Sequence, residues 1–146
     1  MLNINGNLTH FANPKAASDC LYPEKLKEII SVAKSIEPIE TIKTWPGYSV
    51  TPFYALASLA STAEVEQIWY KDESQRFGLK SFKALGGAYA VARQLQIALQ
   101  DSIGTSPSIK ELLEGRWSNE VAELVVSWAT DGNHGRSVAW GAQMFG

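Results

Sequence analysis

The fold of this chain is decided by the segment Ser81-Phe82-Lys83-Ala84-Leu85-Gly86-Gly87-Ala88-Tyr89. Serine is a favoured N-cap residue and apolar residues recur behind it at helical spacing, so the segment predicts a helix running to about Gln100. Lys83 then lies directly inside the helix N-terminus, where the positive end of the helix dipole disfavours a cation. A neutral amine forms a Schiff base with an aldehyde, which makes Lys83 a candidate nucleophile. A solvent-directed lysine fits the spacing as well, and Lys80 competes for the same role.

A glycine pair, Gly86-Gly87, follows inside the same helical pattern. Each glycine in a helix interior costs about 1 kcal/mol relative to alanine. We therefore expect another backbone or a ligand to approach closely at this point. Packing against a neighbouring helix or strand explains the pair as well as contact with a ligand does.

A second candidate segment, Thr130-Asp131-Gly132-Asn133-His134-Gly135, follows the apolar run from Leu124 to Ala129 and precedes the last helix. The run is typical of a buried parallel strand, and ligands of α/β folds bind at the carboxyl ends of such strands. Free N–H groups at the helix start favour anions. Asp131 is a candidate general base or a plain N-cap, and Asn133 offers a donor and an acceptor to a ring hydroxyl. His134 is expected to anchor the loop, with a role as base as the alternative.

The remaining pattern predicts an α/β fold with a parallel sheet and right-handed crossovers. A helix is expected to begin at Pro23, to bury one apolar face and to end at Pro38. Arg76 and Lys71 are expected to be isolated, solvated charges. The other predicted elements are a loosely ordered arm (residues 1–20), a turn (Trp45–Tyr48), a short helix (Tyr54 to about Ser61), a strand (Glu66–Lys71) and a second short helix (Ile109–Leu113).

The composition limits the classes of function open to the chain. It has 146 residues, a net charge of -2 and one cysteine, Cys20. The slightly acidic balance argues against a nucleic-acid partner, and a lone cysteine is typical of a reducing compartment. No apolar run approaches the roughly 20 residues of a transmembrane helix, and no signal peptide is recognisable. We therefore expect a cytoplasmic protein with no membrane contact, and the two histidines and one cysteine provide no metal-ligand spacing.

The two candidate segments resemble a known enzyme family. The stretch from Lys71 to Tyr89 resembles the cofactor-lysine segment of the tryptophan-synthase-β-like (fold type II) pyridoxal-phosphate enzymes. The stretch from Ala129 to Arg136 resembles their Ser-x-Gly-Asn-His-Gly loop. Most members carry serine where this chain has Asp131, and in this respect the chain is similar to the diaminopropionate ammonia-lyases of that family. The stretches Arg76–Leu79 and Gly135–Trp140 are similar to the same enzymes.

The resemblance implies a role for each matching residue. Lys83, rather than Lys80, would hold pyridoxal 5'-phosphate as a Schiff base, with Phe82 packed near the ring. Asn133 would bond the ring hydroxyl, and Gly132 beside it would belong to the cofactor-binding loop. Asp131 would take the Cα proton of an amino-acid substrate. The implied reaction is α,β-elimination of 2,3-diaminopropionate to pyruvate and ammonia, in a homodimer.

The resemblance also implies an incomplete site. It covers the chain from about Tyr48 to the end, and the family's glycine-rich phosphate loop has no counterpart here. We expect an N-terminal arm and helix (1–47), the first part of the cofactor-binding large domain (48–120) and the truncated start of the small domain (121–146). The isolated chain is then expected to have little or no lyase activity. The alternatives are a serine or threonine dehydratase of the same fold and a non-catalytic truncated product.

Overall fold

The structure is a computed structural model that describes residues 13–15 and 20–146. Most of the predicted N-terminal arm, residues 1–20, lies outside the described residues. The described helices and strands are, in chain order, α1 (Glu24–Lys27), α2 (Val32–Lys43), β1 (Phe53–Ala55), α3 (Ala57–Thr62), β2 (Trp69–Lys71), a 3₁₀ turn (Arg76–Gly78), α4 (Lys83–Ile103), α5 (Ile109–Leu113), α6 (Ser118–Ala122) and α7 (Gly132–Phe145). Among these helices, none combines the length and the apolar character needed to cross a membrane.

The chain divides into two compact units. The described part of the first comprises residues 13–15, 20–36 and Phe53–Tyr70; the second comprises Glu37–Pro52 and Lys71–Gly146. Strands β1 and β2 form a two-stranded sheet. The Leu56 N–H donates to the Ile68 carbonyl at 2.9 Å, and the Asp72 N–H donates to the Pro52 carbonyl at 2.9 Å. Pro52 precedes Leu56 in the chain, whereas its partner Asp72 follows Ile68, so the two strands are antiparallel.

The chain is thus an α/β structure, but the predicted parallel sheet is not confirmed. Of the predicted strand 66–71, the strand itself comprises only Trp69–Lys71, and residues 124–129 form no strand. Val125 is 90% exposed, in contrast to the burial expected of a central strand. A parallel strand needs a paired neighbour and cover on both faces, and the described residues place no strand beside this segment.

The predicted helix from Pro23 to Pro38 was wrong in three respects. It is divided into α1 and α2, and Pro38 lies inside α2, which continues to Lys43. Its apolar residues are not buried: Ile29 and Ile30 are 72% and 69% exposed. Proline removes one backbone hydrogen bond from a helix interior, and α2 nevertheless continues past Pro38 to Lys43.

The second unit is built on α4 and α7. The predicted helix behind Ser81 is confirmed as α4, and Gly104 closes it in a left-handed conformation with φ +72°. The short helix predicted at Ile109–Leu113 is confirmed as α5, where Ser108 and Glu111 form a capping box. The core brings together apolar side chains of α4, α5, α6 and α7: Ala88, Val91, Ala92, Leu95, Leu99, Ile109, Leu112, Val121, Val138 and Phe145.

Arg76 was expected to be solvated and is instead buried, with 6% of its surface exposed. Its guanidinium donates to both carboxylate oxygens of Glu73 at 2.7 and 3.0 Å. It also donates to the Ser49 carbonyl at 2.8 Å and to Thr51 Oγ1 at 3.0 Å. The Thr51 hydroxyl donates in turn to Glu73, and Lys71 Nζ donates to the Thr51 carbonyl at 2.6 Å. This network ties the segment from Ser49 to Thr51 to the turn that precedes α4.

Close approach of α4 and α7 gives a stability prediction. A Cβ added at Gly141 would lie 2.7 Å from Ala88 Cα, whereas one added at Gly86 would meet no protein atom within 4 Å. Gly141→Ala is therefore expected to lower the free energy of unfolding by about 2 kcal/mol through overpacking. Gly86→Ala is the matched control and is expected to raise it by up to about 1 kcal/mol through helix propensity. Urea unfolding of both variants checks this, and wild-type stability of Gly141→Ala would contradict it.

The Glu73–Arg76 pair predicts how stability depends on pH. The hydrogen bonds from Arg76 hold the pKa of Glu73 below its ordinary value of 4.5. A carboxyl group with a lowered pKa stabilises the folded state fully when the pH is above the group's ordinary pKa. This stabilisation is lost as the pH falls through the lowered pKa. Glu73→Gln leaves Arg76 buried without its counter-ion and is expected to cost about 3 kcal/mol near pH 7. Denaturant unfolding of the wild type and of Glu73→Gln should show that the difference between their free energies of unfolding shrinks below about pH 4.

Glu40 offers a matched control, because it pairs with Lys43 at the same sequence spacing but on the exposed surface. Glu40→Gln is expected to leave the free energy of unfolding nearly unchanged, since exposed ion pairs contribute little. Equal losses in Glu40→Gln and Glu73→Gln, or a Glu73→Gln effect that persists unchanged in acid, would rule out the proposed role of the buried pair.

Candidate functional site

The two segments singled out in the sequence meet at one cavity in the second unit. The cavity has a volume of about 320 Å³ and lies at the start of α4. Helix α7 contributes His134 to its wall. Because both helices begin here, the partial positive charge of two helix N-termini is directed to the same region. Its lining residues are Phe82, Lys83, Leu85, Gly86, Gly87 and His134.

Lys83 is the first residue of α4, and its side chain is exposed. Its backbone is held at both polar groups. The Lys83 N–H donates to Ser81 Oγ at 3.3 Å, although Phe82 rather than the predicted Ser81 is the N-cap residue of α4. The Lys83 carbonyl accepts from the hydroxyl of Ser137 on α7. Lys80, the competing lysine, lies in the preceding turn with φ +58° and is not among the residues that line the cavity. The geometry therefore joins Lys83, and not Lys80, to the cavity.

The glycine pair has two separate explanations. Gly87 is buried against α7, and a Cβ there would overlap Ser137 Oγ. Gly86 is exposed at the cavity, and a Cβ there would meet no protein atom within 4 Å. Helix packing therefore accounts for Gly87, while Gly86 leaves open space beside Lys83.

The loop ahead of α7 places its polar residues at the surface. Asp131 is the N-cap residue by position, but its carboxylate makes no capping hydrogen bond with the described residues. Gly132 has φ +55°, a left-handed conformation that suits glycine. Asp131, Gly132, Asn133 and His134 are all exposed, and of these His134 alone lines the cavity.

Gly135 makes this loop tight. A Cβ at this position would lie 3.0 Å from Trp128 Nε1 and 3.3 Å from the Thr130 carbonyl oxygen. The chain therefore folds back closely on itself before α7 begins. This close turn determines where Asp131 and Asn133 emerge relative to the first turn of α7.

Sequence reasoning missed Ser137. It is completely buried and contacts α4 at both Lys83 and Gly87. Its position three residues after His134 puts it on the same face of α7. The sequence offered one indication of this role: a small polar residue three positions after His134, in a chain that also has a glycine pair in another predicted helix.

Known proteins match this chain over the region that contains the cavity. The family model described as pyridoxal-phosphate dependent enzyme matches residues 44–146. The diaminopropionate ammonia-lyase of Salmonella typhimurium is 43% identical over 111 residues, which are 71% of this chain and 26% of that protein. The crystal structure of the Escherichia coli diaminopropionate ammonia-lyase with an aminoacrylate-PLP azomethine reaction intermediate is 36% identical, with a TM-score of 0.56 over 79% of this chain and 26% of that one. The complex of that enzyme with D-serine is also 36% identical and gives a TM-score of 0.57 over 79% and 28%.

The chain spans about a quarter of the length of the curated relatives it matches. The family match nevertheless covers well over half of this chain and contains the whole cavity described above. It includes both helices whose N-termini meet there. The chain therefore belongs to the pyridoxal-phosphate-dependent enzymes.

Proposed function

We propose that this chain is the cofactor-lysine portion of a diaminopropionate ammonia-lyase, which eliminates ammonia from 2,3-diaminopropionate to give pyruvate and a second ammonia. The observation that carries the proposal is the meeting of Lys83 with the first turn of α7 at one cavity. The loop that begins this turn bears Asp131, the feature that separates these enzymes from relatives with serine at that position. Identity of 43% to a diaminopropionate ammonia-lyase supports the same substrate class.

The residues at the cavity fit pyridoxal 5'-phosphate, the cofactor of the family. Lys83 supplies an accessible amine, while Phe82 and Leu85 supply apolar surface for a pyridine ring. Gly86 leaves room beside the lysine that a side chain would take up. Two helix N-termini favour the cofactor's anionic groups. We propose that Lys83 binds the cofactor's aldehyde covalently and that Phe82 packs near the ring.

The polar loop completes this assignment. Asn133 would bond the ring hydroxyl, and Gly132 would let the backbone approach the cofactor. Asp131 would remove the Cα proton of the substrate, a role for which its carboxylate is not occupied by helix capping in the described structure. The bound cofactor supplies an electron sink for the charge left at Cα. The Lys83 amine would hold and return a proton near Cα.

We further propose the arrangement of the complete enzyme. Residues 48–120 would belong to the large domain and 121–146 to the start of the small domain, behind an N-terminal arm and helix at 1–47. In that setting residues 124–129 would pair within a parallel sheet, which the exposure of Val125 supports because this apolar side chain has no cover here. A homodimer stays a prediction of the resemblance, and a cytoplasmic location stays a prediction from the composition of the sequence.

The cofactor assignment predicts a covalent adduct at Lys83. Pyridoxal 5'-phosphate added to the purified 146-residue chain is expected to give the absorbance band of a lysine adduct. Borohydride reduction should then leave a phosphopyridoxyl group on the peptide that contains Lys83, as read by mass spectrometry. Lys83→Ala should abolish both signals. Lys80→Ala is the matched control and should retain them; labelling that follows Lys80 instead would overturn the assignment.

The length of the relatives predicts low turnover. We expect the 146-residue chain with cofactor to form pyruvate from 2,3-diaminopropionate no faster than free cofactor does, because residues outside this chain would hold the phosphate. A coupled lactate dehydrogenase assay measures the pyruvate. Clear turnover of 2,3-diaminopropionate would contradict this expectation. Turnover of serine or threonine alone would favour the dehydratase alternative.

A further inference from the structure

We propose that Ser137 is a positioning residue for the cofactor lysine. Its hydroxyl, bonded to the main-chain carbonyl of Lys83, sets the spacing between that lysine and the loop at Asp131–His134. This inference rests on the proposed function, because it concerns the same cavity. It assigns a role to a residue of α7 that neither lines the cavity nor belongs to the polar loop.

The hydroxyl of Ser137 is in a fully enclosed position. None of the residue's surface is exposed, and Oγ donates to the carbonyl of Lys83, a residue 54 positions earlier in the chain. Gly87 forms the slot, since a Cβ there would overlap Oγ. A buried hydroxyl without a partner would be costly, so the hydrogen bond and the glycine slot together select serine at this position.

The place of this bond connects it to the site. His134 and Ser137 lie one helical turn apart on the same face of α7. His134 and Lys83 both line the cavity, and the Ser137 hydroxyl donates to the main-chain carbonyl of Lys83. Ser81, in the segment before α4, accepts from the N–H of the same residue. The first turn of α4 is therefore tied to α7 at the very residue that carries the amine.

The helices do not need this bond to stay together. One turn further along α7, Gly141 packs against the backbone of Ala88 and gives α4 and α7 an apolar contact of their own. Loss of the Ser137 hydroxyl would thus release the end of the helix pair at the cavity and leave the remainder packed. The expected consequence is a change in the placement of Lys83 rather than loss of the fold.

The test is a cofactor titration of the 146-residue chain and of Ser137→Ala, followed by absorbance and by the circular dichroism induced in the bound cofactor. Ser137→Ala is expected to bind pyridoxal 5'-phosphate roughly fivefold more weakly, as for loss of one hydrogen bond, with a weaker induced signal. One control keeps the hydrogen bond to Lys83: Ser102→Ala removes a serine-to-carbonyl bond at the far end of α4. It should retain the affinity and the induced signal of the wild type.

The outcomes separate the two proposals. Absence of a lysine adduct in the wild-type chain overturns the cofactor assignment and this inference with it. A normal wild-type adduct together with unchanged affinity and dichroism in Ser137→Ala overturns the role of Ser137 alone. So does an equal loss in Ser102→Ala, because the effect would then not depend on the hydrogen bond to Lys83. If Ser137→Ala fails to fold, Ser137→Cys replaces it, since the thiol is similar in size but a weak donor, and the same loss is expected.

Discussion

Helices α4 and α7 approach each other closely because small residues stand at two of the points where their surfaces meet. Gly141 lies against Ala88, and Ser137 lies against Gly87. Protein interiors are closely packed, so a side chain added at either contact would displace the backbone. The relative position of the two helix N-termini is thereby determined, and the cavity exists where those N-termini meet.

A second constraint acts on the approach to α4. The buried guanidinium of Arg76 is bonded to Glu73, Thr51 and the Ser49 carbonyl, so its desolvation is offset by partners on every side. Two residues of the following segment, Phe77 and Lys80, adopt left-handed conformations before α4 begins at Lys83. The segment that precedes Lys83 in the chain therefore has a constrained backbone.

Local signals in the sequence predicted part of the local structure. Periodicity and a capping serine predicted α4, and the Ser108–Glu111 pattern accompanies the short helix α5 that was expected there. Contacts between distant residues could not be predicted in this way. Arg76 meets Ser49 and Ser137 meets Lys83 only after the chain has folded, so one was taken for a surface charge and the other was overlooked. The expected parallel sheet depends on strand partners that the described residues do not provide. The roles of Asp131 and Asn133 stay predictions.

The antiparallel ribbon of β1 and β2 has a consequence for handling the protein. Its cross-strand aromatic pairs, Phe53 with Trp69 and Tyr54 with Tyr70, are stacked yet about half exposed. Unpaired strand edges beside exposed aromatic surface offer a template to further strands. In concentrated solution we expect such ribbons from different molecules to associate edge to edge. Charged substitutions on the exposed faces of β1 and β2 are therefore expected to raise the solubility of the polypeptide.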